Sequence, residues 1–305
     1  MVLWGVNFLF SFSTNLVPTP RAYLTSAFLQ GNQTATIEAL GIIMSLGYAA
    51  STIGYFAGGF AAEAFGKRRI VIASFGILAA SCLIFATAPG LYYLYLANSV
   101  EFFAAGFSSP AISALVADCS EQRSRGIAYG VFNISWVSAG IVAPLLAGFV
   151  AQFVNLQAPF VIGVFVSITG FFLAFLMRGK TTEKAQTNER SAGTTKKSDS
   201  DNDLIPRRIV AIFSITNLTN GLLNGFINPI LNGMLLFKLQ AAPAEYGIVL
   251  SLSSSLVTGL VQLPGGRLAD KFGRKPLALL GFLAVPLVAL IGFSGSLLDF
   301  ALIMA

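Results

Sequence analysis

The chain contains no histidine, only two cysteines and few charges: Lys, Arg, Asp and Glu together make up 10% of its 305 residues. Without His it lacks the commonest metal ligand and the usual general base near neutral pH. Cys82 and Cys119 stand alone in the sequence, so neither a metal cluster nor a disulfide scaffold is expected. The string FGKRR around Gly66 and Lys67 lacks the Gly spacing and the Ser or Thr of a phosphate-cradling loop, which removes the ATP-driven pump. No cofactor, no metal and no covalent chemistry are implied. Soluble domains carry about 25% charged residues; this chain, 55% apolar with 27 Phe, cannot cover a water-facing surface. It reads as a membrane protein.

What the sequence does have is long apolar runs. A span of hydrocarbon needs roughly 20 residues, and nine runs qualify, near residues 2–28, 39–62, 70–88, 91–116, 126–151, 158–177, 207–237, 245–266 and 276–295. A tenth starts at Asp299 and stops with the sequence at Ala305. One connection is long and polar, residues 178–206, rich in Thr, Ser, Lys and Asp; it reads as a flexible cytoplasmic linker. The expected organisation is a six-helix bundle over 1–177, the linker, and an incomplete second bundle over 207–305.

The net charge of +6 raises nucleic acid as a partner until the charges are sorted by side. With the N-terminus cytoplasmic, seventeen of the 19 Lys and Arg residues fall on inside loops and only Arg21 and Lys238 on the other. That bias is the positive-inside rule, and it sets orientation in a cell membrane. Nucleic acid is dropped; the lipid bilayer takes its place.

Two of the inside loops are related: GGFAAEAFGKRR at 58–69 and GGRLADKFGRKP at 265–276. The helices before them repeat as well, Asn15 with Pro20 matching Asn224 with Pro229. A duplicated unit with a pseudo-symmetric interface is built for rocking one bundle against the other about a midplane site. Glycines at 58, 59, 265 and 266 allow close backbone approach, as do Gly54 and Gly58 as a small-xxx-small pair.

At these residues the chain resembles the major facilitator superfamily. Gly266, Asp270, Gly273, Arg274 and Lys275 are similar to that family's signature loop, and Gly59, Glu63, Gly66, Lys67 and Arg68 form a degraded first copy in which Glu63 stands for Asp. GIVAPLLAGF at 140–149 is similar to a Gly and Pro pattern of many exporters of the family. The resemblance implies an all-α transmembrane fold of two six-helix bundles, the second incomplete here. It also implies that the two loops act as conformational switches, locking one access state and releasing in the other; a plain positive-inside loop with a helix-packing Gly pair is the alternative. Glu63 would work against an eleventh span, which lies beyond this chain. The family pattern places spans 1, 4, 7 and 10 around the central cavity.

Polar groups inside the spans are few. Asn217, Asn220, Asn224, Asn228 and Asn232 recur at steps of three and four, which places them on one face of the seventh span. The first span echoes them with Asn7, Ser11 and Asn15. The stripe either lines a solute path or bonds neighbouring helices. Glu101 is the acid deep in a span, where an ionised carboxylate costs about 2.5–3.5 kcal/mol. It is the candidate proton carrier, or else it sits protonated against Asn98 one turn away. Asn98 stands where many proton-coupled drug exporters of the family have Arg. Arg21, near the outer end of the first span, reads as an interfacial residue whose charge snorkels to water.

The expectation is therefore a secondary transporter, not an enzyme, moving a small polar or amphipathic solute with H+ by alternating access, as a monomer, with efflux one direction open to it. The competing expectation is a non-transporting membrane protein from a truncated transporter gene.

Overall fold

A computed structural model of the chain describes residues 2–119, 125–177, 225, 227–260, 295–297, 299 and 300. Every regular element among the described residues is helical. The ninth span, the polar linker, the second loop at 265–276 and most of the seventh span lie outside the described residues.

The first apolar run is not one helix. It forms α1 (Val2–Asn15) and α2 (Pro18–Phe28), divided at Leu16 and Val17. Pro18 and Pro20 explain the break, because neither has an N–H to give to Thr14 or Leu16 four residues back. The helix resumes at once, Arg21 N donating to Val17 O at 3.1 Å.

Spans two to six follow the apolar runs closely: α3 (Gln33–Phe65), α4 (Lys67–Ala86), α5 (Leu91–Asp118), α6 (Arg125–Phe153) and α7 (Ala158–Phe175). All five are long and apolar enough to cross a membrane, α6 over Phe132–Phe153. Their ends have local causes. The Asn32 side chain accepts from Ala35 N at 3.1 Å and caps α3. Gly66, at φ 90°, turns the chain from α3 into α4 in a region that glycine alone enters freely. Asn155 accepts from Gln157 N and Ala158 N to start α7.

α3 packs along α5 more extensively than any other described pair. Small residues make this possible. A Cβ on Gly54 would sit 2.5 Å from Phe103 O, and one on Gly58 would collide with the Phe107 backbone. Gly59 is different: a Cβ there meets open space, so close approach belongs to Gly58 alone of that pair. In helical register, two adjacent residues face about 100° apart, and only one can lie in the seam.

α1 packs against α6 and α7, and α4 against α5 and α7. A core of Val6, Phe10, Val71, Phe75 and Leu78 fills the centre. Outside, Phe56, Phe60, Phe165 and Phe172 are more than 60% exposed. Large apolar side chains on the perimeter of fully hydrogen-bonded helices are what a bilayer demands.

Beyond the linker, residues 227–233 are helical and run into a π-helical turn, Met234–Lys238. α8 (Pro243–Val249) follows and continues into a second wide segment, Leu250–Leu256. α8 lies against α6, where Gly148 faces the Pro243 carbonyl and Gly247 the Pro144 carbonyl at backbone contact.

Candidate functional site

α5 runs from the end of the molecule that holds Asn32 to the end that holds Lys67 and Arg68. Along it Glu101, Ala105, Ser108, Ser109 and Ile112 share one face, by steps of three and four. That face borders a cavity of about 350 Å³. α1 supplies Asn7, Phe10, Ser11 and Thr14 to its wall, α3 supplies Tyr55, and α6 supplies Phe132 and Trp136. Hydroxyl groups and aromatic rings both line it, and Glu101 brings the carboxylate. Because the wall continues past Glu101 to Ser113, the cavity extends from the carboxylate toward the Lys67 end.

Glu101 is 4% exposed, and its Oε2 is buried with no hydrogen-bond partner among the described residues. Asn98 does not satisfy it. Asn98 is fully buried, its Oδ1 accepting from Arg21 Nη1 and its Nδ2 donating to Ile43 O at 2.8 Å. The expectation that Asn98 lines the cavity is thus corrected: with both ends of its amide engaged, it is a bracket between α2 and α3. Gly47 makes the room, since a Cβ there would stand 2.5 Å from Asn98 Nδ2.

Arg21 is the larger correction. Rather than snorkelling to the membrane edge it is 2% exposed, and its Nε has no hydrogen-bond partner among the described residues. The titratable groups around it are Glu101, Tyr246 and Tyr48. The Pro18–Pro20 restart of the helix carries it inward, and a linear reading of residues 2–28 as one span hides this.

Of the other residues read from the sequence, Asn7 lines the cavity and donates to Ser135 Oγ at 2.7 Å. Asn15 is half-buried, and its Nδ2 turns back on its own helix, donating to Ser11 O at 2.7 Å. Asn228 is half-buried. Asn232 is buried and accepts from Tyr246 Oη, which makes it an interhelical bond. Asn217, Asn220 and Asn224 lie outside the described residues, as do Gly266, Asp270, Gly273, Arg274 and Lys275.

At the basic end, Lys67 Nζ and Asp118 Oδ2 form an ion pair at 2.6 Å, both side chains partly exposed. Arg68 donates through Nη2 to the Phe175 carbonyl at the end of α7. Glu63 is exposed and in no ion pair among the described residues. The acid that meets the loop is therefore Asp118. A signal for it was present: an acid in the last turn of a helix faces the negative end of the dipole and gains from a cation nearby.

Toward the opposite end α2 meets the region beyond the linker. Tyr23 Oη donates to the Ala241 carbonyl, and the Tyr23 and Tyr246 rings meet edge to face at 5.8 Å. Ala22, Leu231, Leu235, Val249 and Phe300 pack around them. The cavity thus reaches toward one end of the molecule, and toward the other end α2 contacts the region beyond the linker.

Comparison with known proteins places this architecture. The chain is 24% identical to Multidrug resistance protein 2 of Bacillus subtilis over 74% of its own length and 60% of that protein's. It is 26% identical to Solute carrier family 22 member 18 of Mus musculus over 75% of its length and 56% of the other's. With Quinolone resistance protein NorA of Staphylococcus aureus it shares 25% identity over 39% of the chain and 31% of that protein. The chain thus spans about 60% of the length of the first of these relatives. In fold it is similar to the D-xylose-proton symporter, with a TM-score of 0.71 at 15% identity over 100% of this chain and 79% of that one. The family model described as Major Facilitator Superfamily matches residues 3–218 and 213–305. With that match over nearly its whole length and an all-helical fold shared with a member, the chain is a multi-pass membrane protein of the Major Facilitator Superfamily.

Proposed function

We propose that the protein is a secondary active transporter that moves a small polar or amphipathic solute across the cell membrane by alternating access, with Glu101 carrying the coupled proton. The observation that carries this reading is the buried carboxylate in the wall of a polar and aromatic cavity, with one oxygen unpartnered among the described residues. A carboxylate in that position is costly when ionised and neutral when protonated, so it binds a proton reversibly as the cavity changes sides. The hydroxyls and Asn7 supply hydrogen bonds to a solute; Phe10, Tyr55, Phe102 and Trp136 supply apolar area.

The N-terminus and the linker are cytoplasmic in this reading, by the distribution of Lys and Arg. The cavity then faces the cytoplasm, and the Tyr23–Tyr246 contact closes the outer side. The bundles are 1–177 and 207–305, joined by 178–206, and the chain acts as a monomer. The loop at 58–69 and its repeat at 265–276 act as switches, the Lys67–Asp118 pair holding one access state. Export is the direction we assign, supported by the names of the resistance proteins among the relatives.

The test is reconstitution of the full chain in vesicles, with solutes chosen by a thermal-shift panel headed by quinolones. An imposed proton gradient should drive accumulation of a stabilising solute, and Glu101→Gln should abolish that drive while leaving solute exchange intact.

A further inference from the structure

A serine that lies outside the cavity wall decides which end of an amide faces the cavity. Ser135 of α6 is fully buried and is not part of that wall. A hydroxyl has one proton to give, and Ser135 gives it to the Phe132 carbonyl of its own helix at 2.6 Å. Its oxygen is then left to accept, and it accepts from Asn7 Nδ2 of α1 at 2.7 Å. An amide has a donor end and an acceptor end. With Nδ2 of Asn7 held on α6, the acceptor Oδ1 is the end left for the cavity that Asn7 lines.

Two hydroxyls of the wall carry the same polarity. Thr14 Oγ1 donates to Ser11 O and Ser108 Oγ to Ala105 O, each at 3.0 Å, so both have spent their proton on their own helix and keep only lone pairs. Ser11, Ser109 and Ser113 make no side-chain hydrogen bond among the described residues and rotate to suit the group they meet. The indole N–H of Trp136 and the phenol of Tyr55 belong to exposed side chains. The neutral polar groups whose direction is fixed in this wall are therefore acceptors. A buried solute group is paired against them only if it donates; an acceptor brought there leaves both partners unsatisfied.

We propose that Asn7, with its amide oriented by Ser135, is the specificity-determining residue of the cavity and selects a solute whose polar head donates N–H hydrogen bonds, a primary amine on an aromatic body. This rests on the cavity being the solute site. Phe10, Phe102 and Phe132 receive the aromatic body. Charge alone does not make the selection: a primary and a quaternary ammonium present the same charge to Glu101, and only the first has N–H to give. Discrimination of this kind is strong because the wrong head leaves buried polar groups of the site unpaired. Ser135 acts through Asn7 and is a positioning residue.

The experiment holds charge constant and varies the donors. Phenylethylamine and its N,N-dimethyl and N,N,N-trimethyl forms are all cations near neutral pH, with three, one and no N–H bonds on nitrogen. Their affinities for the full chain in lipid nanodiscs are measured by isothermal titration calorimetry. The parent should bind the primary amine most tightly and the quaternary one least, with about a fivefold loss for each hydrogen bond removed. Ser135→Ala frees the Asn7 amide to turn, so the ratio of the two affinities should fall toward one. Ser135→Thr keeps the hydroxyl and should keep the preference. The bulk added on nitrogen is the same for every variant, so a preference set by size alone would survive Ser135→Ala. Asn7→Leu should lose the preference too, and it keeps the test open if Ser135→Ala fails to fold. Equal binding of the three amines by the parent, binding of none of them, or a preference unchanged in either Ser135→Ala or Asn7→Leu would overturn the proposal. Gradient-driven accumulation of another solute by a parent that fails these tests would leave the transport reading standing and remove only the amine selection.

Discussion

Arg21 of α2 donates to the Asn98 side chain of α5, and Asn98 donates in turn to the Ile43 carbonyl of α3, so one amide holds three helices beside the buried carboxylate of Glu101. Breaking it takes away the Asn98 partner of a guanidinium buried where water does not reach. We expect Asn98→Leu to destabilise the detergent-solubilised protein by about 2–5 kcal/mol, above the range of an ordinary lost hydrogen bond because one partner is charged. A thermal melt of the variant against the parent checks it; a midpoint within one degree or so of the parent would show that the bracket carries no such weight.

Gly47→Ala tests the same bracket from the other side. The added Cβ would press on Asn98 Nδ2 and the Phe102 ring. Overpacking of this kind costs about 1–3 kcal/mol. Shortening the intruded side chain should recover part of the loss, so Phe102→Leu combined with Gly47→Ala should melt above Gly47→Ala alone.

Gly58 and Gly59 should behave oppositely although they are neighbours. Gly58→Val drives a side chain into the Phe107 backbone and should prevent α3 from seating on α5, seen as loss of monodisperse protein in size exclusion. Gly59→Ala meets open space and gains helix propensity, so it should be neutral or stabilising by up to about 1 kcal/mol.

The Lys67–Asp118 pair is partly exposed at both side chains and belongs to the class worth about 0–1 kcal/mol in stability. Its removal by Asp118→Asn should barely move a melting curve yet raise thiol accessibility near the basic end if the pair holds an access state. The exchange variant Lys67→Asp with Asp118→Lys should restore the parent accessibility.

The membrane class, five of the spans and the family were legible because long apolar runs and a basic Gly-rich loop are local signals. The burial of Glu101 was legible for the same reason, an acid in an apolar run. What escaped was three-dimensional. Arg21 looked like a membrane-edge residue because counting from the start of a 27-residue run puts it near the outer end; the Pro18–Pro20 restart turns it inward. Asn15 and Asn98 shared the polar type and spacing of cavity residues, but spacing fixes a face and not a partner, and both are spent on backbone carbonyls. Asp118 lay outside the repeated loop and was found only through Lys67.

The central claim is that Glu101 takes up and releases the coupled proton. The most direct measurement is proton movement itself: a pH-sensitive dye inside vesicles holding the full chain, with a stabilising solute added against a proton gradient. The account predicts solute-dependent proton flux for the parent and none for Glu101→Gln, with solute exchange at equal pH retained by both. Proton flux in Glu101→Gln equal to that of the parent would contradict it.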